Sequence, residues 1–169
     1  MKLYVMRHAE AVDGSDTMRD EWRYLTEKGR TAARAISSSI ARYGPKPRLT
    51  ITSPLTRAVQ TAEIVGGQAC RRNVIVASEL LLPGAAIEDL VAFLKKNREA
   101  KRIILVGHEP QLGTIVATLL GCRGAAITLK KAACVALDFD PDNDGKPAGF
   151  LWYLAPGKKR TTSFKKAFM

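Results

Sequence analysis

Histidine is scarce in this sequence, two in 169 residues, and cysteine is hardly commoner at three. Cys70, Cys122 and Cys134 are odd in number, widely spaced and without a C-x-x-C pair, which argues against a disulfide framework or a structural zinc site. They read as small buried residues of a reducing compartment. Aromatic residues make up only 7% of the chain and are not interleaved with its basic clusters, so the stacking platforms of a single-strand nucleic-acid binder are missing. Long hydrophobic runs are absent as well. The N-terminal stretch Leu3-Tyr4-Val5-Met6 meets Arg7 and His8 too soon to form a signal-peptide core or a membrane span, so a cytoplasmic location and no membrane partner are expected.

Acidic residues are outnumbered 16 to 27 by Lys and Arg, giving a net charge of +11, which would attract nucleic acid, phosphorylated proteins or acidic membranes without choosing among them. Lys158, Lys159, Arg160, Lys165 and Lys166 crowd the last dozen residues, where a solubilising tail from about residue 158 is the simplest expectation. With 46% apolar and 25% charged residues, the chain has the composition of one globular domain over residues 1–169 with a core of its own.

Short apolar runs at Lys2 to Met6, Leu49 to Thr52, Val74 to Ala77 and Ile103 to Val106 predict buried strands. Helical periods fall between and after them: Thr31 to Arg42; Leu55, Ala58, Val59, Ala62 and Val65; Ile87 to Leu94; Leu112, Ile115, Val116 and Leu119. This alternation predicts an α/β fold, a three-layer α/β/α sandwich with a mainly parallel central sheet, because parallel neighbours need a crossover that is usually a helix. Ala132 to Phe139 and Phe150 to Ala155, joined by the turn formers Asp140-Pro141-Asp142-Asn143-Asp144-Gly145, predict a C-terminal hairpin on that sheet. The Asp140-x-Asp142-x-Asp144-Gly145 run opens like a calcium loop, but the twelfth position is Leu151 instead of the required glutamate.

Both histidines end an apolar run, Val5-Met6-Arg7-His8 and Leu105-Val106-Gly107-His108. Ligands of open α/β sheets bind beyond the carboxyl ends of the strands, so both imidazoles are expected at the edge where sites form. A third segment, Ser53-Pro54-Leu55-Thr56-Arg57, follows a strand, with Ser53 as N-cap and Pro54 as first helical residue. Arg57 then lies in the opening turn, leaning back toward the strand ends. A cation there opposes the helix dipole unless guanidinium and dipole share an anion. A phosphoryl group suits such a pocket, with Arg7 as a second fork. Pro110 points to a further helix beginning after His108. A histidine among these cations would be held neutral, so His8 is the candidate nucleophile and His108 the donor to a phosphoryl oxygen; no metal and no cofactor is required.

These three motifs, with Gln60-Thr61-Ala62 after Arg57 and Glu109-Pro110 after His108, resemble the histidine phosphatase superfamily across most of the chain. The resemblance implies a phosphoglycerate mutase-like fold, with Arg7 binding phosphate, His8 becoming phosphorylated and Arg57 and His108 completing the site. Many members have glycine after the first histidine where this chain has Ala9, which would crowd a turn needing positive φ. Within the superfamily the short length, Leu25-Thr26-Glu27-Lys28-Gly29 and Gly107-His108-Glu109-Pro110 look most like SixA-type phosphohistidine phosphatases. Larger members usually carry a glutamate proton donor soon after the third strand. Here Glu79 falls a few residues early and Leu82 or Pro83 takes the expected place, so Glu79, or else Glu10 or Glu109, stands as the candidate acid.

A missing acid favours cleavage of a P–N bond, whose nitrogen can be protonated before it departs. The expected substrate is therefore phosphohistidine on a protein, with inorganic phosphate as product. A phosphomonoesterase acting on a small phosphorylated metabolite is the alternative. A basic nucleic-acid module, supported by Arg71-Arg72 and Lys130-Lys131, leaves both strand-end histidines unexplained.

Overall fold

The computed structural model describes residues 1–69, 74–122, 124, 126–143 and 145–169. Cys70, the Arg71-Arg72 pair and Asp144 of the apparent calcium loop lie outside them. Six strands, β1 (Lys2–Arg7), β2 (Leu49–Thr52), β3 (Val74–Ala77), β4 (Arg102–Gly107), β5 (Cys134–Asp138) and β6 (Gly149–Leu154), form one sheet in the order β3-β2-β4-β1-β5-β6. The first four run parallel, and β5 and β6 add the antiparallel hairpin expected at the C-terminus.

Helices α1 (Glu27–Tyr43), α2 (Thr56–Ala69), α3 (Ile87–Lys96), α4 (Gln111–Leu119) and α5 (Phe164–Phe168) follow the strands. Because side chains alternate along a strand, Leu3 and Val5 of β1 join Ile103 and Leu105 of β4 in a core with α3 and α4, while Tyr4 and Met6 join Ile104 and Val106 in a second core with α1 and α2. The sandwich follows from this two-sided burial. Among the described residues no helix is long and apolar enough to cross a membrane.

Two expectations fail here. The apolar run Val74 to Ala77 is a strand but not a buried one: Val74 is 59% exposed, and β3 is the edge of the sheet, paired among the described strands with β2 alone. An apolar run fixes strand character and leaves the strand's place in the sheet undetermined. Nor is the basic C-terminus a free solvated tail. Phe164 and Phe168, one helical turn apart on α5, set their edges against Phe150 at 5.8 and 6.2 Å, and Arg160 lies 4.5 Å over the Tyr43 ring. Lys158, Lys159, Arg160, Lys165 and Lys166 stay exposed around these contacts.

Candidate active site

The pairing of β1 with β4 brings the two histidines together. Their register sets Arg7 opposite Gly107, so His8 and His108 are the next residues off two adjacent strands, and the His8 N–H donates to the Gly107 carbonyl at 3.0 Å. The rings lie 5.0 Å apart, centre to centre, tilted by 53°. On the other side of β4, the Ser53 N–H donates to the Val106 carbonyl at 2.9 Å, which lays the segment leading to Arg57 along the same edge. His8, His108 and Arg57 are all buried, at 8, 3 and 6% exposure.

Each imidazole is oriented by the protein. His8 Nδ1 is 2.7 Å from the Ala9 carbonyl oxygen, which can only accept, so Nδ1 carries the hydrogen and the neutral ring keeps its lone pair on Nε2. His108 Nε2 shares a 2.8 Å hydrogen bond with Ser53 Oγ. That contact revises the expected role of Ser53. α2 begins at Thr56 instead of Pro54, and Ser53 Oγ accepts only the Leu55 N–H, at 3.3 Å, while holding His108.

Burial above all pushes the His8 pKa down to about 4, against an upward pull from the bond to Ala9, with the charges of Arg57, Arg7 and Lys131 each adding a smaller downward push. Burial, followed by the His8 and Arg57 charges, takes His108 to about 3. Both rings are neutral at pH 7. The cations invoked from the sequence contribute, but loss of water around the imidazoles is the larger cause.

The two arginines are fixed by different means. Arg7 Nη1 donates to the Leu129 carbonyl at 2.9 Å. Arg57 is held by a residue the sequence reading passed over: its Nη1 donates to the Asp20 carbonyl at 2.7 Å and its Nη2 to Asp20 Oδ2 at 2.9 Å. Arg23 grips the same carboxylate through Oδ1 at 3.0 Å and anchors itself to the Val12 carbonyl at 2.7 Å. Burial raises the Asp20 pKa, but Arg23 and Arg57 outweigh it and hold the carboxyl below its ordinary range. The one sequence cue was the i, i+3 spacing of Asp20 and Arg23, in a stretch with no periodicity. Even so, Nε of Arg7 and Nε of Arg57 are buried with no hydrogen-bond partner in the protein among the described residues. A buried unpaired N–H costs about 1–3 kcal/mol, more on a charged group, which is what two forks shaped for an anion would carry.

The remaining motif residues act as scaffolding. Thr61 Oγ1 accepts the Ala9 N–H at 3.1 Å and donates to the Arg57 carbonyl at 2.7 Å, tying the segment after His8 to α2. Gln60 Oε1 accepts the Leu25 N–H at 2.8 Å, and Thr26 caps α1 through the Gly29 N–H at 3.0 Å. Gly29 is needed because a Cβ there would overlap the Glu10 carbonyl. Ala9, fully buried, is not among the positive-φ residues, so its methyl group is accommodated without backbone strain.

The candidate acids differ in their surroundings. Glu79 is exposed at the start of a short 3-10 helix, Glu79–Leu81. Glu10 is tied to Lys28 at 3.2 Å and to Thr26, which lower its pKa. Glu109 is half-buried and its pKa is raised by that burial, but its Oε1 accepts the Leu129 N–H at 3.2 Å, a buttress for the loop that Arg7 also grips. In the C-terminal hairpin, Asp142 pairs with Arg98 at 2.8 Å.

Comparison with known proteins places this geometry in a family. The model of the histidine phosphatase superfamily (branch 1) matches residues 3–80. An uncharacterized protein of Picosynechococcus is 34% identical over 140 residues, covering 81% of this chain and 84% of that protein. The phosphohistidine phosphatase SixA of Escherichia coli is 25% identical over 159 residues, covering 92% and 94% of the two chains. The solved structure of the protein histidine phosphatase SixA complexed with tungstate superposes with a TM-score of 0.80 at 23% identity, over 92% of this chain and 97% of that one. The sandwich is thus the phosphoglycerate mutase-like one. With its Arg7-His8 and His108 on adjacent strand ends, the chain belongs to the histidine phosphatase superfamily.

Proposed function

We propose that the chain is a phosphohistidine phosphatase that works through His8. The observation that carries the reading is the enclosure of two neutral imidazoles, 5.0 Å apart, by two guanidinium groups that each keep a buried N–H without an acceptor among the described residues. The Nε2 lone pair of His8 attacks phosphorus, an N–P bond forms, and the bond to the leaving group breaks with its electron pair going to that group. Arg7, Arg57 and His108 donate to the equatorial oxygens as charge spreads over them. Water then attacks the phosphoryl group of phospho-His8, releasing inorganic phosphate and returning the neutral imidazole.

Two features favour phosphohistidine as substrate over an ester. SixA is a phosphohistidine phosphatase by name, and the similarity to it runs through nearly the whole chain. Of the carboxylates close to the cradle, Asp20 and Glu10 are held ionised by basic partners, and Glu109, whose pKa burial raises, is committed to the Leu129 N–H, so none is well placed to protonate an alkoxide. A phosphohistidine ring that already carries a proton on its other nitrogen leaves as neutral imidazole, its electron pair returning to the ring, and needs no such acid. The test compares turnover on a phosphohistidine protein, a phosphoserine protein and small sugar phosphates, each with a chelator present. Phosphohistidine is expected to be turned over fastest by a wide margin, and His8→Ala to be inactive without a trapped phosphoenzyme. A sugar phosphate in first place would refute the substrate, and activity in His8→Ala would refute the mechanism.

A further inference from the structure

The Lys130-Lys131 pair lies on a turn that is tied down from end to end. Leu129 donates its N–H to Glu109 Oε1 at 3.2 Å and gives its carbonyl to Arg7 Nη1 at 2.9 Å. The Lys130 amide faces the Tyr153 hydroxyl. The Lys130 carbonyl accepts the Ala133 N–H at 2.8 Å, closing a four-residue turn. The Ala132 N–H donates to the carbonyl of His8 itself at 3.1 Å, and the Ala133 carbonyl accepts the Arg7 N–H at 3.1 Å.

Inside that turn Ala132 has φ of 61°, the left-handed conformation that such turns normally assign to glycine, yet it is a buried alanine. Strain of this kind persists only where the surroundings over-determine it, and here the surroundings are the nucleophile and the first arginine. Closure also depends on Gly113 of α4, where a Cβ would overlap the Ile127 carbonyl. What the turn presents at its outer corner is Lys131, exposed, one residue from the amide that meets His8. The cations of the cradle floor are buried or half-buried, so Lys131 is placed at the rim, where the part of a substrate beyond its phosphoryl group would lie.

We propose that Lys131 is a specificity residue, a rim cation that binds a second anionic group, a carboxylate or phosphate, carried by the substrate beside the phosphoryl group that His8 attacks. This assignment rests on the phosphatase reading above and deepens it. The charge of Lys131 reaches both His8 and Glu10, consistent with an ammonium at the mouth of the site.

The test uses two substrate pairs: a phosphohistidine peptide with glutamate or alanine as the flanking residue, and an aryl phosphate with or without a ring carboxylate. The measured quantity is the ratio of kcat/KM within each pair. An exposed ion pair supports a change of about two- to fivefold, so Lys131→Gln should lower the ratio by that factor, through KM, in at least one pair, while Lys131→Arg preserves it. A drop in the peptide pair identifies a protein side chain as the source of the anion, and a drop in the aryl pair identifies a small molecule. Ratios unchanged in Lys131→Gln, or equally lowered by Lys131→Arg, overturn the assignment. A wild type inactive on all four substrates overturns the phosphatase reading instead.

Discussion

Acidification should reveal the energetic penalty of enclosing His8. In the unfolded chain its imidazole titrates at the ordinary 6.5, and in the fold at about 4. Between those values the unfolded state binds a proton that the folded state refuses, so protons draw the equilibrium toward unfolding. The stability is fully present above pH 6.5 and is lost progressively as the pH falls to about 4. A gap of that size corresponds to about 3 kcal/mol for His8 alone, a large share of what a domain of this length holds in reserve.

The perturbation is His8→Asn, which keeps a polar group near the Ala9 carbonyl and removes the titration. Denaturant unfolding of both proteins at pH 7 and pH 4.5 gives the double difference, in which the carboxylates common to both cancel. Wild type should lose roughly 2–3 kcal/mol more than the variant over that interval. With only two histidines, NMR of the ring nitrogens reads the same quantity directly, His8→Asn assigning the signals. Neither ring should show a midpoint above about 5, and His8 should hold its hydrogen on Nδ1. A midpoint of 6 or above for either, or a double difference near zero, would refute the argument that burial keeps these rings neutral. The activity profile is the weaker assay, because a substrate phosphate has its own pKa near 6.

Two further outcomes test the cradle. Asp20→Asn removes the charge that steadies Arg57 while leaving its carbonyl contact, and because Asp20 is largely exposed the loss should be modest, about two- to fivefold in kcat/KM and mostly in KM; a loss as large as that of Arg57→Ala, expected to exceed about 100-fold, would make Asp20 a participant and not a support. Glu79→Gln should leave turnover of a P–N substrate within about twofold, and a loss in the range of roughly 10² to 10⁴ would identify Glu79 as the proton donor.

The sequence made legible what local chemistry decides. Strand identity, the helical periods and the delivery of Arg7, His8 and His108 to strand ends could be read because each follows from a run of neighbouring residues. The pairing that sets Arg7 opposite Gly107 is a contact across about 100 residues, and only the motif order hinted at it. Asp20 was missed for the same reason: its partner Arg57 lies 37 positions away, and its i, i+3 spacing to Arg23 says nothing of that contact. The start of α2 was placed two residues early, and the bond from Ser53 to His108 was missed because it spans 55 positions. The exposure of Val74 to Ala77 and the docking of Phe164 and Phe168 were missed because both depend on which neighbour the fold leaves open.

The parallel ladder of β1 and β4 makes His8 an extension of the hydrophobic interior. A slip of one residue between those strands would exchange every inward side chain for an outward one and carry His8 away from His108 in the same movement. A register change in that ladder would therefore disturb the geometry around His8 and the packing of the core together. The segment bearing Asp20 and the corner bearing Lys131 lie outside that ladder yet are bonded to it through Arg57, His8 and Arg7, so a change in either reaches the site directly.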